Sequence, residues 1–253
     1  MTTTRRLKIG AAMAAVLVLT LTSTACQKAK APVERTTPPP LTASMSFTDL
    51  PDGPAPSTYA GGPTTISPRD VPSDPGAKFH IKDGKLTVDP TKPDSPASYF
   101  TTPNLGTPVV AIGAKWTFTR RAGSPGGAMG LVVSDTIFRP PFPIHLSVGT
   151  DKWGYGIWPP LDGEKIPDLI ILAGGVFDPP LKDDGVTVYE SEVILDGEQA
   201  TIRLPDGNRR IVKDKRIAEW AGNYATFEAF AKNALTDAVV GFTEIWTRRA
   251  PAG

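Results

Sequence analysis

The sequence predicts an all-β fold, a two-layer antiparallel sandwich or barrel with at most one or two short helices. Three observations predict it. Short β-rich runs recur at close intervals between turns that contain Gly and Pro. One stretch, Val186 to Val212, divides into three such runs at Asp196-Gly197 and at Pro205-Asp206-Gly207-Asn208, so it reads as a three-stranded antiparallel meander. And no segment between strands has the length and period of a crossover helix, which excludes a parallel α/β sheet.

Taken in order, the chain begins with an address. Arg5, Arg6 and Lys8 precede a charge-free apolar run from Ile9 to Leu21, and small residues follow up to Cys26. That anatomy predicts an export signal over 1–25, too short to span a bilayer as a helix. Cys26 is the only cysteine of the chain and falls at the first mature position, with Ala25 and Ser23 at the cleavage-site positions before it. The stretch resembles a bacterial lipobox, with Ser23 where Leu is usual and Leu21 two residues further upstream. The resemblance implies lipidation at Cys26, hence a lipid-membrane partner and a place on the outer face of the cell membrane, or secretion if Cys26 stays unmodified.

Residues 26–75 are rich in Pro, Thr, Ala and Gly, with Pro38-Pro39-Pro40 in the first half and few large apolar residues. Such a stretch buries too little surface to offset its ordering entropy, so it is expected to be a disordered linker. A short ordered piece around Ser46-Phe47-Thr48 is allowed for. The domain is expected over 76–249.

Its strands follow from local pattern. Phe79-His80-Ile81 and Lys85 to Val88 flank Asp83-Gly84 as a first hairpin. Ala97 to Thr102 and Val109 to Thr119 come next; in the second, Ile112, Ala114, Trp116 and Phe118 share one face by the two-residue period. Ala128 to Ser134, Ile144 to Val148 and Trp153 to Trp158 are further strands. Asp168 to Ala173, within Leu161 to Asp184, fits a strand or a short buried helix equally. After the meander, Lys213 to Trp220 reads as a helix capped by Asp214, and Tyr224 to Ala231 and Gly241 to Trp246 close the domain as strands.

Charge and composition exclude several functions. Without Arg5, Arg6 and Lys8 the balance is 24 Lys and Arg against 26 Asp and Glu, or −2, and no basic stripe remains to meet a nucleic acid. One Cys and two His leave little for a transition-metal site, and a lone Cys makes no internal disulfide. Neither a phosphate-binding glycine loop nor a G-x-S-x-G nucleophile elbow occurs.

The order TTPNLG, VVAIGAKWTFT, GLVVS, IHLSV, WGYGIW, SEVILDGEQATIRLPDG and GFTEIW resembles the concanavalin A-like lectins and glucanases over Phe79 to Trp246. The resemblance implies a jelly-roll sandwich of two antiparallel sheets, one of which holds a glycan in sugar-binding relatives. It assigns no activity by itself.

Within that frame Glu190 and Glu192 are the candidate catalytic pair, two apart on one strand and so on one face, with Cα atoms roughly 7 Å apart. The glucanase strand pattern E-x-D-x-x-E lacks its central Asp and final Glu here, so a solvated sheet face is the plainer reading. The candidate ligand-binding residues are Trp153 and Tyr155 on one face of WGYGIW and Trp158 on the other, with Gly154 and Gly156 leaving space beside them. Trp116, Trp220 and Trp246 read as core. His145, flanked by apolar residues, reads as a hydrogen-bonded structural histidine rather than a base. Asp178, Asp183 and Asp184 are oxygen ligands of the kind Ca²⁺ takes, but their spacing matches no calcium loop and they read as turn acids. The leading expectation is a surface-anchored, non-catalytic lectin-like module for an envelope or host glycan. A glycoside hydrolase using Glu190 and Glu192, or a structural or interaction lipoprotein with no small ligand, are the alternatives.

Overall fold

The computed structural model describes residues 41–68, 78–88, 97–120, 127–137, 144–159, 168–230 and 239–252. The expected signal, Cys26 and the Pro38-Pro39-Pro40 run lie outside them. In chain order the elements are β1 (Thr42–Ser46), β2 (Gly53–Pro54), β3 (Thr58–Tyr59), β4 (Gly62–Pro63), β5 (Thr65–Pro68), β6 (His80–Lys82), β7 (Lys85–Thr87), β8 (Ala97–Thr101), β9 (Val109–Thr119) and β10 (Ala128–Ser134). They continue with β11 (Ile144–Gly149), β12 (Lys152–Ile157), β13 (Ile170–Val176), β14 (Tyr189–Asp196), β15 (Gln199–Arg203), β16 (Arg209–Lys213), α1 (Lys215–Trp220), β17 (Tyr224–Phe230) and β18 (Val239–Arg249).

Two large antiparallel sheets result. The nine-stranded sheet runs β16-β15-β14-β9-β18-β7-β6-β2, with β1 also paired to β18, and the seven-stranded sheet runs β13-β12-β11-β10-β17-β8-β5. Neighbours that are distant in sequence, such as β9 beside β18, show the interleaved connections of a sandwich rather than a simple meander. The fold is thus the all-β sandwich expected, with one short helix among the described residues.

The core lies between the sheets because alternate residues of each point to the same side. Ile112, Ala114, Trp116 and Phe118 of β9 are fully buried, as the period predicts. Trp116 meets the edge of Phe118 at 4.8 Å between ring centroids. Phe227 of β17 and Phe242 of β18, one from each sheet, stand 6.1 Å apart and join the layers. Burial on this scale removes water from several large apolar side chains per strand, and that outweighs the ordering of the strands.

The hairpin signals hold with one shift. Asp83 and Gly84 both have positive φ, 51° and 68°, the pattern of a type I′ turn whose twist suits the flanking strands. In the meander Asp196 pairs with Gln199, so Gly197 and Glu198 form the loop and only Gly197, at φ 57°, needs the left-handed region. Asp214 caps α1, accepting from the Arg216 amide at 3.0 Å. Ile170–Val176 is a strand, which resolves the strand-or-helix alternative for that stretch.

The expected linker over 26–75 is corrected over much of its length. β1 pairs with β18 from Thr42↔Arg248 to Ser46↔Glu244, and β5 pairs with β8. Phe47 and Tyr59 are buried in the common core. Composition misled here because these residues contribute few apolar side chains of their own; edge hydrogen bonds to β18 and two well-placed rings hold them. Order near Phe47 agrees with the expectation for that stretch.

Candidate functional site

Each sheet has a second face, turned away from the core, and the chemistry-bearing side chains sort between those two outer faces. On β17, Ala225, Phe227 and Ala229 enter the core, so Thr226 and Glu228 face outward. On β10 the core takes Met129, Leu131 and Val133 and leaves Gly130 outside; on β11 it takes Ile144, Leu146 and Val148 and leaves His145.

These placements bring His145 and Glu228 together across β10. Gly130 is the register partner of Glu228, and a Cβ there would overlap the Glu228 carboxylate and stand 3.1 Å from His145 Nε2. The missing side chain opens a gap through which the carboxylate reaches the imidazole: His145 Nε2 lies 2.9 Å from Glu228 Oε2. The contact is an ion pair when both ring nitrogens carry protons. Both residues are more than nine-tenths buried, and Nδ1 of His145 has no hydrogen-bond partner. Next to them Thr101 and Thr226 share a 2.9 Å hydroxyl contact on the same face.

Trp158 stands over this pair. It follows β12 two residues beyond Gly156, the register partner of His145, and its ring lies 5.8 Å from the imidazole, tilted by 46°. Its side chain is half-buried, so part of the indole meets solvent.

The other two aromatics of WGYGIW belong elsewhere. Trp153 is 8 % exposed and Tyr155 fully buried, both within the core cluster. The expectation that they bind ligand is therefore corrected: the two-residue period put them on one face, and that face is the inner one. Trp153 packs against Gly175 of β13, where a Cβ would come within 2.9 Å of its Nε1. Burial pushes the Tyr155 phenol far above its ordinary range. The space expected beside Gly156 is also filled, by Leu169 and the Ile170 carbonyl, whereas Gly154 has only Ile171 Cδ1 nearby, at 3.7 Å.

Glu190 and Glu192 lie on the outer face of the opposite sheet, since their strand sends Val193 and Leu195 into the core. Glu192 accepts from Trp246 Nε1 at 3.1 Å through one oxygen and meets Arg203 Nη1 at 3.1 Å through the other. Glu190 is exposed and in register with Lys115. Glu192 is occupied and Glu190 is solvated, the arrangement of a sheet face; the catalytic alternative gains no support from it. Trp246 is corrected too: it is half-buried on that outer face, and Trp220 is half-buried at the end of α1, so only Trp116 of the three is core.

The acids considered for Ca²⁺ are engaged by the protein. Asp183 pairs with Arg120 Nε at 2.7 Å. Asp184 accepts from the amides of Val186 and Thr187 and from the Thr187 hydroxyl, and these bonds hold its carboxyl low, at about 2. Asp178 is exposed before Pro179, and no cluster of metal-ligating side chains occurs among the described residues.

Glu228 escaped sequence reasoning because its partner lies 83 positions away, with Gly130 between them in space. A glycine inside the apolar run AMGLVVS was the one available signal.

No known family profile matches the sequence, and no curated protein matches it. Solved structures do. The carbohydrate recognition domain of Emp47p is similar at a TM-score of 0.54 and 9 % identity, covering 83 % of this chain and 95 % of that one. The apo Crh5 transglycosylase aligns at 0.51 and 13 %, covering 86 % and 90 %. LamAcat from Zobellia galactanivorans aligns at 0.50 and 8 %, covering 81 % and 96 %. At such identities the likeness is one of fold: the chain shares the two-sheet antiparallel architecture of these structures.

Proposed function

We propose, on the premise of this lectin and glucanase fold, that the protein is a carbohydrate-binding sandwich without catalytic activity, exported and held at the cell surface by lipidation of Cys26. Its glycan face is the outer face of the seven-stranded sheet at Trp158. The observation that carries the reading is the half-buried Trp158 ring resting beside the buried His145–Glu228 pair. A partly exposed indole suits the C–H side of a pyranose, and the imidazole that meets the Glu228 carboxylate packs beside it at 5.8 Å between centroids. The Emp47p similarity to a carbohydrate recognition domain supports it. Glu190 and Glu192 support no hydrolase, since Glu192 is tied to Arg203 and Trp246. A glycan array of the purified chain is the test. Trp158→Ala should lower binding to the best glycan by roughly tenfold or more, the usual effect of truncating an aromatic anchor. Binding that survives Trp158→Ala unchanged overturns this assignment.

A further inference from the structure

The outer face of the nine-stranded sheet carries an aromatic platform of its own. Trp246 leaves β18 and lies across Gly113, its register partner on β9, where an added Cβ would overlap the indole. Beyond Gly113 the indole N–H reaches Glu192 on β14, at 3.1 Å. The side chain thus reaches from β18 over β9 to a partner on β14. The residue is half-buried, so part of it meets solvent. Two features position it: Gly113, where any added side chain would displace the indole, and Glu192, which Arg203 holds from the far side at 3.1 Å.

Charges of both signs surround the ring, with Glu190 exposed on the same face in register with Lys115. Lys115 is matched by Glu244 at 2.8 Å and Arg203 by Glu192. Arg248, two residues from Trp246 on the same face of β18, and Arg209, the register partner of Arg203, form no ion pair among the described residues. Ser44, the exposed register partner of Trp246 on β1, adds a hydroxyl beside the ring.

We propose that this face is a second ligand site, which takes an acidic polysaccharide with a uronate-type sugar stacked on Trp246 and its carboxylate drawn to Arg248 or Arg209. The ring offers the apolar C–H face a flat partner, and a guanidinium meets a carboxylate through two parallel N–H donors. A neutral glycan would forgo the second contact, so charge rather than ring stacking selects the ligand. The site is separate from the one at Trp158, because the two lie on outer faces of different sheets.

The test is calorimetric titration of the purified full-length chain with hexagalacturonate, and with its methyl ester as the uncharged control. The acid form should bind and the ester bind roughly tenfold more weakly or worse, with affinity falling as salt rises. Trp246→Ala should abolish binding, Trp246→Phe should retain part of it, and Arg248→Glu should weaken it several-fold while leaving the melting curve in place. Trp158→Ala should leave it unchanged. The proposal is overturned if the wild-type chain does not bind the acid hexamer, if ester and acid bind alike, or if Trp246→Phe and Arg248→Glu both bind as wild type. Loss of binding through Trp158→Ala alone would move the ligand to the other sheet and also overturn it.

Discussion

Gly130 shows how much a single absent side chain decides in this protein. Its φ is not in the left-handed region, so Ala is acceptable to the backbone, and the cost of Gly130→Ala is steric alone: the new Cβ meets the Glu228 carboxylate. Forcing a buried pair apart by one methyl costs about 1 to 3 kcal/mol. In a domain of this size that lowers the melting temperature by roughly 2 to 4 °C per kcal/mol. Gly154→Ala, whose Cβ meets only Ile171 Cδ1 at 3.7 Å, is the control and should melt within the error of the wild type. Equal melting of both variants in a thermal scan would show that the carboxylate does not depend on the gap. Apart from the glycine itself, nothing in the sequence near Gly130 reveals this, since the two groups it lets meet sit on strands either side of it.

At the scale of an element, α1 is short enough to depend on its cap. The Asp214 carboxylate accepts from the Arg216 amide at 3.0 Å and also meets the Arg216 guanidinium at 2.7 and 2.8 Å. The Arg216 hydrogen bonds hold its carboxyl low, at about 2, against an ordinary value of 3.8. A depressed carboxylate stabilises the fold above its unfolded pKa and loses that contribution as pH falls from about 4 towards 2. Asp214→Ala should cost about 1 kcal/mol at neutral pH, the usual worth of an N-cap, and almost nothing near pH 2. Paired denaturant curves at the two pH values check this, and an equal loss at both would assign the effect to packing instead. This cap was legible in the sequence, because an N-cap acts over three residues and needs no distant partner.

For the whole molecule, the segment before residue 76 changes the account most. The Tyr59 hydroxyl donates to the Ala43 carbonyl at 2.7 Å and lies 3.1 Å from Thr247 Oγ1, so it ties β1 and β18 together. Burial pushes this phenol up to about 12. The folded state therefore binds the proton more tightly than the unfolded chain: the contribution is complete below pH 10 and is lost as pH rises from 10 through 12. Two pKa units correspond to on the order of 2 to 3 kcal/mol. Tyr59→Phe should cost about 1 kcal/mol at neutral pH through the lost hydrogen bonds and should remove part of the alkaline loss. Urea midpoints at pH 8 and 11 check both signs; a variant as alkali-sensitive as the wild type would acquit Tyr59.

The same segment sets the reach of the anchor. With the sandwich starting at Thr42, only residues 26–41 join it to Cys26, a span of at most roughly 55 Å. Cys26→Ala should release the protein into the medium, read by immunoblot of cell and medium fractions, and retention in the membrane fraction would refute the anchor.

The sequence by itself determined the all-β class, the meander, the Asp83-Gly84 hairpin, the buried face of β9 and the cap of α1. All of these rest on alternation or turn chemistry that acts within a few residues. It also separated Trp158 from Trp153 and Tyr155, since alternation puts them on opposite faces. Which face points inward was a tertiary decision: one face of β12 carries Trp153 and Tyr155 and the other Gly154 and Gly156 with Trp158 beyond, and only the packing of one sheet on the other chose between them. The His145–Glu228 pair, the occupation of Glu192 by Arg203 and Trp246, and the folding of residues 42–68 were decided at that level too. Each joins groups far apart in the chain, brought together by strand order, and no local pattern encodes strand order.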